Sequence, residues 1–234
     1  MANPLNPSLR YRLAICLMFG GSIPAPAAGV TDTIPPASAI RPSYWAVPAA
    51  ALAYGCLKPA LGAIGRLDDR LWERTSPSGP VGGFHIETAL QWTPTASVYL
   101  LDASGLRLRN RFRDQLLLDA GSMVVAGGAG WVMRRISEGM TGFGLKEGTQ
   151  FPSGHATNAF RGAELLRQEL RGRSPLWSWS GYAVATLVSV LRMRHGQHQF
   201  SEVVAGAGLG VLSTRSVYWL KDRIVNRSTQ RRQR

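Results

Sequence analysis

The sequence predicts an all-α fold, a single helical bundle. Long runs of Ala, Leu, Val and Gly carry no period-two alternation, strand signals are sparse, and the Pro/Gly/Ser-rich stretches fall between the runs. With 234 residues, 45% of them hydrophobic, the chain can build one substantial core, and no internal repeat marks a second domain.

Residues 1–28 have the layout of a secretory signal peptide or signal anchor: Arg10 and Arg12, an apolar run over 13–23, then small residues with cleavage expected after Ala27 or Ala28. Residues 29–43 read as a linker. Removal of the signal leaves Cys56 as the one cysteine, so no internal disulfide is expected and Cys56 should pack as a small hydrophobe. The apolar stretch 45–65 should lie in or along a membrane without crossing it, and 76–83 reads as a surface loop. Helices are expected over 87–106, 116–133, 155–171, 176–192 and 200–220, before a basic tail at 221–234. The helical domain thus occupies 44–220.

Two short clusters hold three of the four histidines. In Phe151-Pro152-Ser153-Gly154-His155, proline fixes its own φ and Ser153 can cap the helix that follows. Ser153, Gly154 and His155 then sit at a helix N-terminus, whose free N–H groups and positive dipole attract anions. His155 can give a proton to a leaving oxygen. In the second cluster Arg192 ends an apolar run, His198 follows six residues later, and Glu202 lies four beyond His198, on the same face of a helix. A carboxylate on one ring nitrogen sets the tautomer and frees the other as nucleophile or base.

These residues resemble the type 2 phosphatidic acid phosphatase superfamily, which shares its fold with the vanadium haloperoxidases and reads K-x6-R-P, then P-S-G-H, then S-R-x5-H-x3-D. P-S-G-H is intact at Pro152 to His155, and R-x5-H at Arg192 to His198. Leu191 replaces the family serine, Glu202 replaces the aspartate, and no Arg-Pro pair precedes Phe151. Counting back by family spacing puts Arg135 at the first-motif lysine and Gly142 at its arginine, with Lys146 as a substitute in space. The stretches 91–100 and 203–210 look like helices of the membrane-bound bacterial lipid phosphatases.

The resemblance implies a phosphohistidine mechanism: His198 attacks phosphorus, Glu202 orients it, and His155 protonates the leaving alkoxide and later activates water. Arg192, Ser153, Gly154, Arg135 and Lys146 would hold phosphoryl oxygens, with no metal or other cofactor. The implied substrate is a lipid-linked phosphomonoester or pyrophosphate. The altered motifs leave a second reading, a member that binds phosphorylated lipid without turnover.

His195, His198 and Glu202 also have zinc-like spacing, although Arg192 and Arg194 would repel a cation. Gly206, Gly208 and Gly210 lack the spacing of a dinucleotide loop and suit close helix packing. The net charge of +13 is gathered in blocks: Arg107, Arg109, Arg111 and Arg113; Arg167, Arg171 and Arg173; and 221–234. No block shows interleaved aromatics or a nucleic-acid-binding module, so nucleic acid is not an expected partner. Threaded as antiparallel neighbours, the helices put every block opposite the histidines, the positive-inside pattern of an inner-membrane bundle with a periplasmic site. Asp119, Arg161, Glu164 and Arg167 must then face inward. Head-group contacts are expected from loops such as 68–84. The sequence implies no oligomeric state.

Overall fold

The computed structural model describes residues 43–76, 85–140, 143–171 and 175–232. The expected signal, nearly all of the linker and most of the 76–83 loop lie outside these residues. Among the described residues the secondary structure is eight helices and no strand: α1 (Ser43–Cys56), α2 (Gly62–Thr75), α3 (Ile86–Leu90), α4 (Thr93–Ala103), α5 (Phe112–Gly139), α6 (Gly154–Glu169), α7 (Pro175–Arg194) and α8 (Phe200–Arg232).

The expected 45–65 stretch is two helices. Its chain turns after Cys56, through Lys58 and Pro59, before α2 begins. Residues 87–106 likewise break at Gln91 and Trp92, because Pro94 lacks an N–H and suits the first turn of a new helix. The basic segment after Leu220 continues α8 as helix to Arg232. Cys56 is exposed at the end of α1, where the helix stops before its side chain meets the core.

Helix α6 is the centre of the bundle, packed by α4, α5, α7 and α8. Its buried residues include Ala156, Ala159, Ala163, Leu165 and Leu166, spread round the helix as a central position demands. One core layer joins Val98, Leu101, Leu118, Leu165, Leu166, Leu170 and Tyr218; a layer of small side chains, Ala159, Ala163, Ala185 and Val188, lets α7 approach closely. Helices α6 and α8 run parallel, since Ser153 pairs with Glu202 near their starts and Glu169 with Tyr218 near their far ends.

The glycines of α8 are contact points. A β-carbon at Gly206 would stand 2.6 Å from the Ser153 carbonyl oxygen, and one at Gly210 would collide with the Thr157 carbonyl. Only glycine lets α8 lie this close to the start of α6.

The ionisable residues of the helices do face inward. Arg161 pairs with Asp119 and reaches Ser122, while Glu164 is fully buried between Arg167 and Arg215 and also meets Gln168 and Tyr182. At the far end, Arg109 holds Asp222 at 2.8 Å, its N–H donates to the Glu169 carbonyl at 3.1 Å, and Lys221 holds Asp114 at 2.8 Å. The basic blocks around 109, 169 and 221 therefore share the end opposite His155 and His198.

Candidate active site

The site is built on two adjoining helix starts. The Ser153 N–H donates to the Glu202 carbonyl at 3.1 Å, which docks the beginning of α6 onto the first turn of α8. Ser153 is fully buried, and its hydroxyl accepts from the Ala156 N–H at 3.4 Å. The serine is thus the helix cap, and the exposed member of the motif is Gly154, at which a β-carbon would meet open space.

His198 Nδ1 lies 2.7 Å from Glu202 Oε2, and the Gln199 N–H donates to the same oxygen at 3.2 Å. Glu202 is fully buried and His198 is 6% exposed. The glutamate reaches the imidazole despite its extra methylene. With Nδ1–H donated to the carboxylate, Nε2 carries the free lone pair.

His155 stands at the start of α6, where burial, the Arg192 charge and His198 lower its pKa to about 4, with Glu87 opposing. It is therefore neutral near pH 7 in the free site. Burial also lowers Arg192 from its ordinary value, and Glu87 opposes that shift. The Arg192 Nε is buried with no hydrogen-bond partner among the described residues.

Arg135 and Lys146 are not brought to this group. Arg135 is exposed, pairs with Glu138 at 3.6 Å and lies over the Trp131 ring; Lys146 pairs with Asp69 at 2.8 Å. The neighbouring Arg134 lines a cleft of about 410 Å³ together with Pro152, Gly154, Thr157, Asn158 and Arg161. Its Nε is likewise buried and unpartnered among the described residues. One residue along a helix is a turn of roughly 100°, so the two adjacent arginines face different ways.

Sequence reasoning missed other residues here. Asp68 is not in a head-group loop but inside α2, fully buried, where it accepts from the Ser201 N–H at 2.9 Å and the Ser201 hydroxyl at 2.5 Å. It caps α8, and buried Lys58 balances its charge at 3.0 Å while donating to Gln199 at 2.5 Å. Replacing Asp68 by Ala removes a cap and leaves Lys58 short of its counter-charge, so unfolding free energy should fall by about 3 kcal/mol. Denaturant titration checks this.

The fourth histidine also comes to this end. Glu87, fully buried on α3, has Oε1 at 3.0 Å from His85 Nδ1, 2.9 Å from His195 Nδ1 and 3.7 Å from Arg192 Nη1. Burial would raise its carboxyl, but the bonds to His195 and His85 outweigh that and hold it below the usual range. His195 thus turns to Glu87, which separates it from the His198–Glu202 pair of the zinc-spaced reading. The fourth histidine lying two residues from a glutamate was the available signal.

Residues 116–225, which carry Gly154, His155, Arg192, His198 and Glu202, match the PAP2 superfamily. The chain is 29% identical over 217 residues to a protein of Porphyromonas gingivalis named lipid A 1-phosphatase, an alignment covering 89% of this chain and 44% of that protein. The chain thus spans less than half the length of the curated relative it matches. No solved structure matches it.

Proposed function

We propose that this protein hydrolyses a phosphate ester of a membrane lipid through a phosphohistidine on His198. The observation that carries the reading is the His198–Glu202 contact at 2.7 Å, beside the helix start that presents Gly154 and His155. His198 Nε2 attacks phosphorus while Glu202 holds Nδ1–H. The phosphorus–oxygen bond to the alcohol breaks, and the leaving oxygen takes a proton from His155. Water, deprotonated by His155, then displaces His198 and releases phosphate. Arg192, Arg134 and the N–H groups at the start of α6 hold the equatorial oxygens.

Two helices, α5 and the α8 stretch Phe200–Val225, are long and apolar enough to cross a membrane. Only 22% of the apolar window of α5 is buried in the protein, and Leu117, Val124 and Trp131, seven residues apart, remain exposed on it. This face suits lipid, and the mostly apolar cleft beside Gly154 opens along the same helix. Basic residues gathered at the far end favour an inner-membrane protein with a periplasmic site. The relative's name makes a lipid A phosphate the first substrate to try, with phosphatidic acid, phosphatidylglycerophosphate and a polyprenyl pyrophosphate beside it. The test is phosphate release from this panel by purified protein in detergent. Binding without release from any member would favour the non-hydrolysing reading.

The His155 proton has a checkable source. An imidazole with a pKa of about 4 is neutral before substrate arrives, and a phosphate dianion beside it favours the charged form. The NMR titration of His155 should therefore show an inflection near pH 4 in the free protein and move upward when vanadate binds. An unchanged inflection would remove His155 as the acid.

Arg134→Ala should lower kcat/KM by roughly 10- to 100-fold, the loss of a charged hydrogen bond to phosphate. Arg135→Ala, which removes an exposed pair, should leave it within about twofold. The reverse order would return the role to Arg135.

A further inference from the structure

We propose that His85, Glu87 and His195 form a binding site for a divalent transition metal of the zinc class, on the flank of the phosphate site. Helix α3 lies against α7, so the Glu87 carboxylate meets His195 just beyond the α7 C-terminus, with His85 closing the third side. Nδ1 of each imidazole faces Glu87 Oε1, at 3.0 Å and 2.9 Å, and the three donor atoms lie within 4.8 Å of one another. The rings meet edge to face with centroids 5.3 Å apart.

Hydrogen bonding alone accounts poorly for this arrangement. Both imidazoles crowd one carboxylate oxygen, while the other, Glu87 Oε2, is buried without a partner among the described residues in a fully buried side chain. Two carboxylate oxygens would serve two N–H donors best one each. A cation seated among the three side chains uses both imidazole lone pairs and can take either carboxylate oxygen.

Two imidazoles and one carboxylate are a zinc donor set with a fourth position open. Bonds of about 2.1 Å in a tetrahedron put donors about 3.4 Å apart, so the nitrogen–oxygen pairs at 3.0 Å and 2.9 Å must open slightly and the two imidazole nitrogens, which lie within 4.8 Å, must close toward that spacing by side-chain rotation. Nitrogen donors favour zinc, cobalt or nickel over magnesium and calcium. Access is available from solvent, since the His85 and His195 side chains are 37% and 22% exposed. Arg192 Nη1, at 3.7 Å from Oε1, is beyond hydrogen-bond length and leaves that oxygen free to ligate, and the buried Glu87 carboxylate offsets the repulsion that the guanidinium exerts on a cation.

The test uses the full chain, stripped of metal and held in detergent. Calorimetry with zinc should show one ion per chain. Cobalt should give the intense visible absorption of a four-coordinate nitrogen/oxygen site, a readout that needs no variant. His85→Ala and His195→Ala should each weaken zinc binding by roughly tenfold or more, and His198→Ala should leave it unchanged. Absence of zinc binding and of a cobalt spectrum in the wild type would overturn the site. So would binding that survives loss of His85 and His195 together, or that disappears with His198, since the ion would then sit on the catalytic pair. None of these measurements depends on turnover, so they stand apart from the outcome of the lipid-phosphate panel.

Discussion

His198→Ala should lower phosphate release from any lipid that the wild type hydrolyses by on the order of 10⁴-fold or more, as expected for removal of a nucleophile. The imidazole's hydrogen-bonding partner is Glu202, which needs its own proton donor. Replacing the ring by a methyl group therefore leaves a buried carboxylate without that partner, at a stability cost of about 1–3 kcal/mol. Circular dichroism and a melting curve separate this modest loss from unfolding. Acid-free quenching of the wild type during turnover should trap a phosphohistidine that the variant lacks. Activity within a few-fold of wild type, in a folded variant, would end the assignment of His198 as nucleophile.

The bundle itself was legible because its signal is periodic and long. Long apolar runs without alternation, bounded by glycine and proline, favour helices over strands, and Gly206 and Gly210 marked α8 for a close helix contact whose partner, α6, the structure supplies. The breaks at Lys58–Pro59 and at Gln91–Trp92 were harder to see, because the apolar content continues across them while the backbone turns. The exposure of Cys56 is a consequence of the first break.

The His198–Glu202 pair was legible for a different reason: an i,i+4 spacing is closed by the helix itself. Contacts made between distant segments carry no such local mark. Glu87 meets His195 and Arg192 only because α3 lies against α7, and Asp68 caps α8 only because α2 folds back on it. A buried acid on a short helix looks in sequence like any surface charge. Arg134 shows a narrower limit, because adjacent arginines on one helix differ only in direction, and the packing of α5 against α6 decides which of them faces Gly154.

Glu202→Asp should be damaging even though aspartate stands at this position in the superfamily that the chain resembles. The carboxylate that holds His198 Nδ1 at 2.7 Å belongs to a backbone that cannot slide: the Glu202 carbonyl accepts the Ser153 N–H at 3.1 Å, and the preceding Ser201 is held by Asp68 at 2.9 Å and 2.5 Å. Removing one methylene withdraws the oxygen by about 1.5 Å. That stretches the contact beyond hydrogen-bond length and frees the ring to change tautomer. A misplacement of this size costs roughly 10²-fold in turnover. Glu202→Gln keeps the length, and its amide oxygen can still accept from Nδ1–H, so it loses only the charge that stabilises a cationic His198 and should fall less than the aspartate variant. The check is kcat for both variants on whichever lipid phosphate the wild type hydrolyses, with melting temperatures alongside. A Glu202→Asp protein as fast as wild type, or faster, would show that the helix start yields and that the 2.7 Å contact does not set the rate.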